Sequence, residues 1–312
     1  MADLKQWTIN EPYLQLDCGL GEAPFYESAT HTLRFVDIVK QKLHFVDLNK
    51  GPQSHKVLAD LEHAIGTTAD IEGSNDEFIA GAKHGFGIYN RKSGGFRYIK
   101  RVWDERDGDV ASKEERMRFN DGAVDSRGRY WAGQMNDPKV KKPTDEGVLF
   151  RLDPDLTLHR MIKKVSIPNG IGWSADDKTM YFTDSPSGNI YAYDFDAESG
   201  SISNRRVFFH AEDGIEPDGF AIDEHGYIWT AQFGGGKVLR VSPDGKVVGQ
   251  VNVPTRCPTC PGFVGDELFI TSAAEEEPDK YPNSVRYAGS LFRVKVGVKG
   301  QKPHSFKYQA SR

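Results

Sequence analysis

The chain has 312 residues, 32 of them glycine, with 40 Lys plus Arg against 45 Asp plus Glu and a net charge of −5. No run approaches the about 20 apolar residues of a spanning helix, and so mild an acidity supplies no clustered cationic surface for a phosphate backbone, so neither membrane nor nucleic acid is an expected partner. Three cysteines cannot all pair and the first residues carry no apolar signal core, which together predict a cytoplasmic protein.

Taken in chain order, residues 33–38 and 43–48 read as two strands joined by a short turn. The charged stretch 104–117 is the best helix candidate and reads as a loop or a short surface helix. Segments 130–134, 179–183, 227–231 and 268–271 are aromatic and β-branched, and Gly, Asp or Ser turn residues precede each one. Short strands at regular spacing between such turns predict an all-β fold, and no long 3.6-residue periodicity competes with it.

These strands repeat. Asn120-Asp121-Gly122, Asn169-Gly170-Ile171 and Asp218-Gly219-Phe220 each lead into an apolar strand, a polar turn and an aromatic-rich strand, and they recur every 49 residues. Glu22 precedes another copy, and weaker copies begin near Gly66 and Thr259. Six copies in 312 residues leave about 52 residues each, the length of a four-stranded propeller blade. The prediction is therefore a single domain over residues 1–312, a six-bladed β-propeller with four antiparallel strands per blade. Residues 7–16 are expected to close the ring against the last blade, together with 291–294 and 306–308. Radial closure would also remove the sheet edges that promote aggregation.

Equivalent positions of the blades lie at one height around the axis, so Glu22, Asn120, Asn169 and Asp218 are expected to converge on the channel. Two carboxylates and two amide oxygens suit a hard divalent cation, Ca2+ first, with Mg2+ or Mn2+ also compatible and Zn2+ less typical without His or Cys. Taken singly, Asn-Gly and Asp-Gly are ordinary turn dipeptides. It is the register of four such residues, one of them a Glu that no turn requires, that points to a site.

Several stretches together resemble the SMP-30/gluconolactonase family: Gly21-Glu22-Ala23-Pro24, Arg118-Phe119-Asn120-Asp121-Gly122, Gly128-Arg129-Tyr130-Trp131-Ala132-Gly133, Asn169-Gly170-Ile171-Gly172-Trp173-Ser174 and Pro217-Asp218-Gly219. The resemblance runs over nearly the whole chain. It implies a six-bladed propeller with one catalytic divalent metal and hydrolysis of sugar lactones, such as glucono- or arabinonolactone. It also implies that Glu22, Asn169 and Asp218 hold the metal, that Arg118 and Asn120 bind substrate, and that Asp218 is the general base. The chain departs from the family's pattern at Asn136-Asp137-Pro138 and at Gly172, which bears on the preferred sugar more than on the chemistry.

A lactone is an ester, so the implied chemistry is water attack at a metal-polarised carbonyl, with Arg118 beside the developing oxyanion. Two other readings remain open: the same metal site acting on another ester or an organophosphate, and a non-catalytic propeller that binds a metal and a ligand or partner. Gly172-Trp173-Ser174-Ala175-Asp176 lacks the second glycine of a serine-hydrolase elbow. Cys257 and Cys260 have CxxC spacing but only Cys18 besides, too few ligands for a structural zinc. The position of 104–117 just before Arg118 makes it a candidate lid.

Overall fold

Burial along the strands falls from one side of each sheet to the other, and that gradient orders the architecture. The structure is a computed structural model that describes residues 4–58, 61 and 63–309. Six sheets follow one another in chain order. Their first strands are Gly21–Glu27, Ile65–Asp70, Met117–Val124, Pro168–Trp173, Glu216–Ile222 and Pro258–Val264, which define blades 1 to 6. Each first strand touches the first strands of the two neighbouring blades, so these six line the axis. The second strands are almost wholly buried, as in Tyr130–Asn136, whereas a fourth strand such as Ser201–His210 is mostly exposed at the rim. The protein is a six-bladed β-propeller.

Closure shows in the apolar packing. Six core clusters lie between neighbouring blades, and the last of them joins Val264, Phe269 and Leu291 of blade 6 to Leu33, Phe35 and Val46 of blade 1. No sheet faces water on both sides. Buried polar ties add register to these interfaces. Arg34 of blade 1 is fully buried; its Nε donates to Thr68 Oγ1 at 2.9 Å and its Nη1 to Asp70 Oδ1 at 2.7 Å, both in blade 2. The same Nη1 donates to Glu27 Oε1 at 2.6 Å, which Arg91 of blade 2 reaches at the same distance.

Terminal strands close the ring as expected, but not all on the blade expected. Lys5–Thr8 does not join the last blade; it pairs in parallel with Val247–Asn252 as a fifth strand of blade 5, where Trp7 packs on Trp229 at 5.3 Å. Further along, Leu14 bridges Leu291, so the N-terminal segment spans the outside of blades 5 and 6. Blade 6 itself has three described strands. Phe306 does not belong to it either. The tail crosses the far end of the channel: Gly300 bridges Asp223 of blade 5, Phe306 bridges Ile71 of blade 2, and Lys307 N donates to Gly128 O of blade 3. Beneath the tail lies a cavity of about 240 Å3, bordered by residues 301–304 and the second halves of the inner strands.

The charged stretch before blade 3 forms a 3-10 turn, Glu105–Asp107, in a capping box with Asp104, and a helix, Val110–Arg116, capped by Asp109. Lys83 Nζ holds the carbonyl of Glu115, and Arg101 and Arg116 pair with Glu114 and Glu146.

Removing one partner of a buried ion network costs about 3–5 kcal/mol. Arg34→Met is therefore expected to lower the melting temperature and the chemical-denaturation midpoint by a loss of that order. A loss under about 1 kcal/mol would show that apolar packing alone holds blades 1 and 2 in register.

Candidate metal centre

All six inner strands carry a β-bulge at the same height. The pairing register shifts between Glu22 and Phe25, Ile65 and Thr67, Phe119 and Gly122, Asn169 and Ile171, Pro217 and Phe220, and Pro258 and Pro261. A bulge inserts unpaired residues, bends the strand and re-aims side chains, which is why bulges collect beside functional sites. Asn120 and Asp218 lie inside their bulges, and Glu22 and Asn169 lie at the leading edges of theirs. In blade 6 the corresponding Thr259 ties its own blade to the first, donating from Oγ1 to Gly21 O at 2.5 Å. Blade 2 has Gly66 there.

The residues singled out in the sequence are all buried: Glu22, Arg118, Asn120, Asn169 and Asp218 expose between 3% and 6% of their surface. Three of them are joined in one hydrogen-bonded path, which ends beside Asp218. Arg118 Nη1 donates to Asn120 Oδ1 at 2.8 Å, and Asn120 Nδ2 donates to Asn169 Oδ1 and to Pro168 O, each at 3.0 Å. Asn169 Nδ2 donates to Ser185 Oγ at 2.8 Å, and Ser185 Oγ donates to Pro217 O at 2.7 Å, next to Asp218. Both N–H groups of Asn120 are thus committed to protein acceptors. Asn169 Oδ1 keeps one lone pair.

The carboxylates are in strong mutual tension. Burial raises the pKa of Glu22 well above the ordinary value, and the neighbouring charges of Asp218 and Asp121 raise it further. Asp218 is pushed up in the same way, by burial first and then by Asp121. Burial takes Asp121 to about 6. Arg118 is the cation that Glu22 meets, and it also faces Asp137, with Nε 3.9 Å from Oδ1. Glu22, Asp218 and Asp121 share one guanidinium that Asp137 also faces, which leaves an excess of negative charge that a divalent cation would offset.

The donor set fits such an ion. Asp218 Oδ1 is buried and meets no hydrogen-bond donor, a costly state for a carboxylate oxygen unless a cation faces it. Among the described residues no three His, Cys, Asp or Glu side chains stand together as a metal site. Glu22, Asp218 and the free lone pair of Asn169 Oδ1 would give a divalent ion a hard, all-oxygen set of the type Ca2+ takes.

Two residues of this centre escaped the sequence reading. Asp121 follows Asn120 directly, yet within Asn-Asp-Gly it reads as a turn residue. Ser185 comes from the exit of the second strand of blade 4, outside the repeated motif altogether. Cys257 and Cys260 are free, buried thiols, and burial raises the pKa of both.

Residues 20–274 match the family described as "SMP-30/Gluconolactonase/LRE-like region". The chain is 33% identical over 298 residues to regucalcin of Xenopus laevis, covering 92% of this chain and 94% of that protein. It is 33% identical over 286 residues to the 6-deoxy-6-sulfogluconolactonase of Pseudomonas putida, covering 90% and 92%. The crystal structure of a calcium-binding protein, regucalcin from Agrobacterium tumefaciens, superimposes with a TM-score of 0.85 at 26% identity over 97% of this chain and 99% of that one. The chain belongs to the SMP-30/gluconolactonase/LRE-like family, a group that includes regucalcins and sugar lactonases.

A carboxyl whose pKa rises on folding stabilises the fold below its ordinary pKa and gives that stability up as pH climbs through the raised value. Chelator-treated protein is therefore expected to melt at progressively lower temperature as pH rises through the value near 6 of Asp121, with Glu22 and Asp218 adding to the fall. Asp121→Asn should flatten this dependence and stabilise the metal-free protein by about 1–3 kcal/mol at neutral pH. A metal-free melting temperature that is level from pH about 5 to about 8 would contradict the crowding of these charges.

Proposed function

We propose that the protein is a divalent-metal-dependent lactonase that hydrolyses sugar (aldono-) lactones to aldonic acids, with Ca2+ as the first candidate ion. The reading is carried by the orphaned oxygen of Asp218. A buried carboxylate oxygen without a donor lies beside Glu22 and Asn169 in the channel of a gluconolactonase-family propeller. A relative with 33% identity is named as a lactonase of a sulfonated gluconolactone, which supports the same substrate class here.

A bound divalent ion would supply Lewis acidity for an ester carbonyl and hold Asp218 ionised. The rest falls to the chain's own side chains. The carboxylate of Asp218 orients a water molecule and accepts its proton as the water attacks the lactone carbonyl. The carboxyl then returns that proton to the ring oxygen that leaves as an alcohol. Arg118 places a fixed positive charge near the developing oxyanion. Asn120 retains only the second lone pair of Oδ1 for substrate, so its part in recognition is to accept a hydroxyl proton.

Acid release from gluconolactone and arabinonolactone can be followed at constant pH, with an aryl ester and an organophosphate in parallel. Turnover is expected for the lactones and is expected to disappear on chelation. Asp218→Asn should lower kcat by roughly 100- to 10,000-fold, the usual contribution of a positioned general base. Undiminished activity after chelation would remove the metal from the mechanism. Turnover of the aryl ester or organophosphate alone would reassign the substrate class.

A further inference from the structure

An asparagine offers oxygen and nitrogen from the same planar group, and only the oxygen can face a cation. Something has to decide which way Asn169 turns. The path described above has one polarity, because its two ends cannot exchange roles. At one end Arg118 is a donor only, so Asn120 must show it Oδ1. Asn120 Nδ2 then faces Asn169 and the carbonyl of Pro168, and that carbonyl can only accept. At the other end Pro217 O can only accept, so Ser185 must spend its hydroxyl proton there and receive Asn169 Nδ2 on its oxygen. Asn169 is held from both sides with Oδ1 toward Asn120 and the channel and Nδ2 toward Ser185.

We propose that Ser185 is a positioning residue of the metal centre, which together with Arg118 and Asn120 locks the carboxamide of Asn169 so that its oxygen is presented to the cation. Ser185 is built into its place rather than resting there. It is buried, with 2% of its surface exposed, and its backbone N donates to Ile167 O at 3.1 Å. The adjoining Asp184 accepts from the backbone of Ser166 at 3.1 Å and of Ile167 at 3.0 Å. The corner after the second strand of blade 4 is thereby clamped to the residues that lead into Asn169. The bond from Ser185 to Pro217 O carries the lock across to blade 5, one residue before Asp218. Two of the three ligands, from different blades, are set by one hydroxyl.

The proposal rests on the reading of Asn169 as a ligand, and the test separates the two. Chelator-stripped wild type, Ser185→Ala, Ser185→Thr and Asn169→Ala are titrated with Ca2+, and in parallel with Mn2+, by calorimetry, and the metal-free forms are melted. Loss of an outer partner of a metal ligand commonly weakens binding 10- to 100-fold. Ser185→Ala is expected to raise the Ca2+ Kd roughly 10- to 100-fold, and Ser185→Thr, which keeps the hydroxyl, to restore the affinity. The metal-free form of Ser185→Ala is expected still to fold but to melt somewhat below the wild type, since Asn169 Nδ2 and Pro217 O lose a buried partner. A Kd for Ser185→Ala within about threefold of the wild type would overturn the proposal, as would a loss that threonine does not restore. If the wild type binds neither ion the metal reading itself fails, and if Asn169→Ala binds as the wild type does the reading of Asn169 as a ligand fails and the proposal with it, whatever Ser185 does.

Discussion

Six strands cannot meet at one axis unless they solve a problem of room. Where the inner strands come closest, a side chain on every residue would collide with the next blade. A Cβ on Gly66 would fall inside contact distance of the Phe119 carbonyl, and one on Gly219 would strike the thiol of Cys260. The glycine excess of the chain is in part a requirement of this crowding. Glycine alone would leave an inert axis. The bulges complete the arrangement by giving each blade extra residues at that height, so a glycine can make room while its neighbour projects a polar group inward. The closed ring, the convergence of ligands and the burial of their charges all follow from that crowded line.

Burial has a cost that the site turns to use. Carboxylates packed together away from water repel one another and resist ionisation, and a single arginine does not balance Glu22, Asp218 and Asp121. Left to itself the centre would hold protons instead of cations. A divalent ion would reverse that preference at one step, which would make fold stability, proton affinity and metal affinity expressions of one electrostatic balance. The donors of Asn120 and Ser185 are, by contrast, committed to acceptors. Amide, hydroxyl and carbonyl groups satisfy one another along a directed path and leave few alternative arrangements.

How far the sequence could be read follows from these same features. The 49-residue period was visible because the polar residue and its glycine recur wherever a bulge faces the site, as at Asn120, Asn169 and Asp218. It faded at Gly66 and Thr259, where the blade needs the bulge but carries neither a carboxylate nor a carboxamide. Asp121 was hidden by its setting, since a carboxylate before glycine reads as turn chemistry. Ser185 could not be inferred from spacing, because it reaches Asn169 from a different strand and across the blade's own hairpin. The route of the tail was equally hidden. It is tied to blades 2, 3 and 5 by main-chain hydrogen bonds, which leave no mark on residue type, and the buried Phe306 does not by itself say which blades it packs between.

That tail gives the ring a second closure, across its diameter instead of around its rim. One end is fastened at Asp223 and Ile222, a few residues beyond Asp218 on the same strand of blade 5; the other is fastened at Gly128 of blade 3, just past the strand that carries Asp121. It therefore works as a tie rod between the two sides of the channel that repel each other. A hoop without a spoke could relieve that repulsion by becoming oval. With the spoke in place, the repulsion stays at the centre, where it is relieved by taking up protons or would be relieved by a cation.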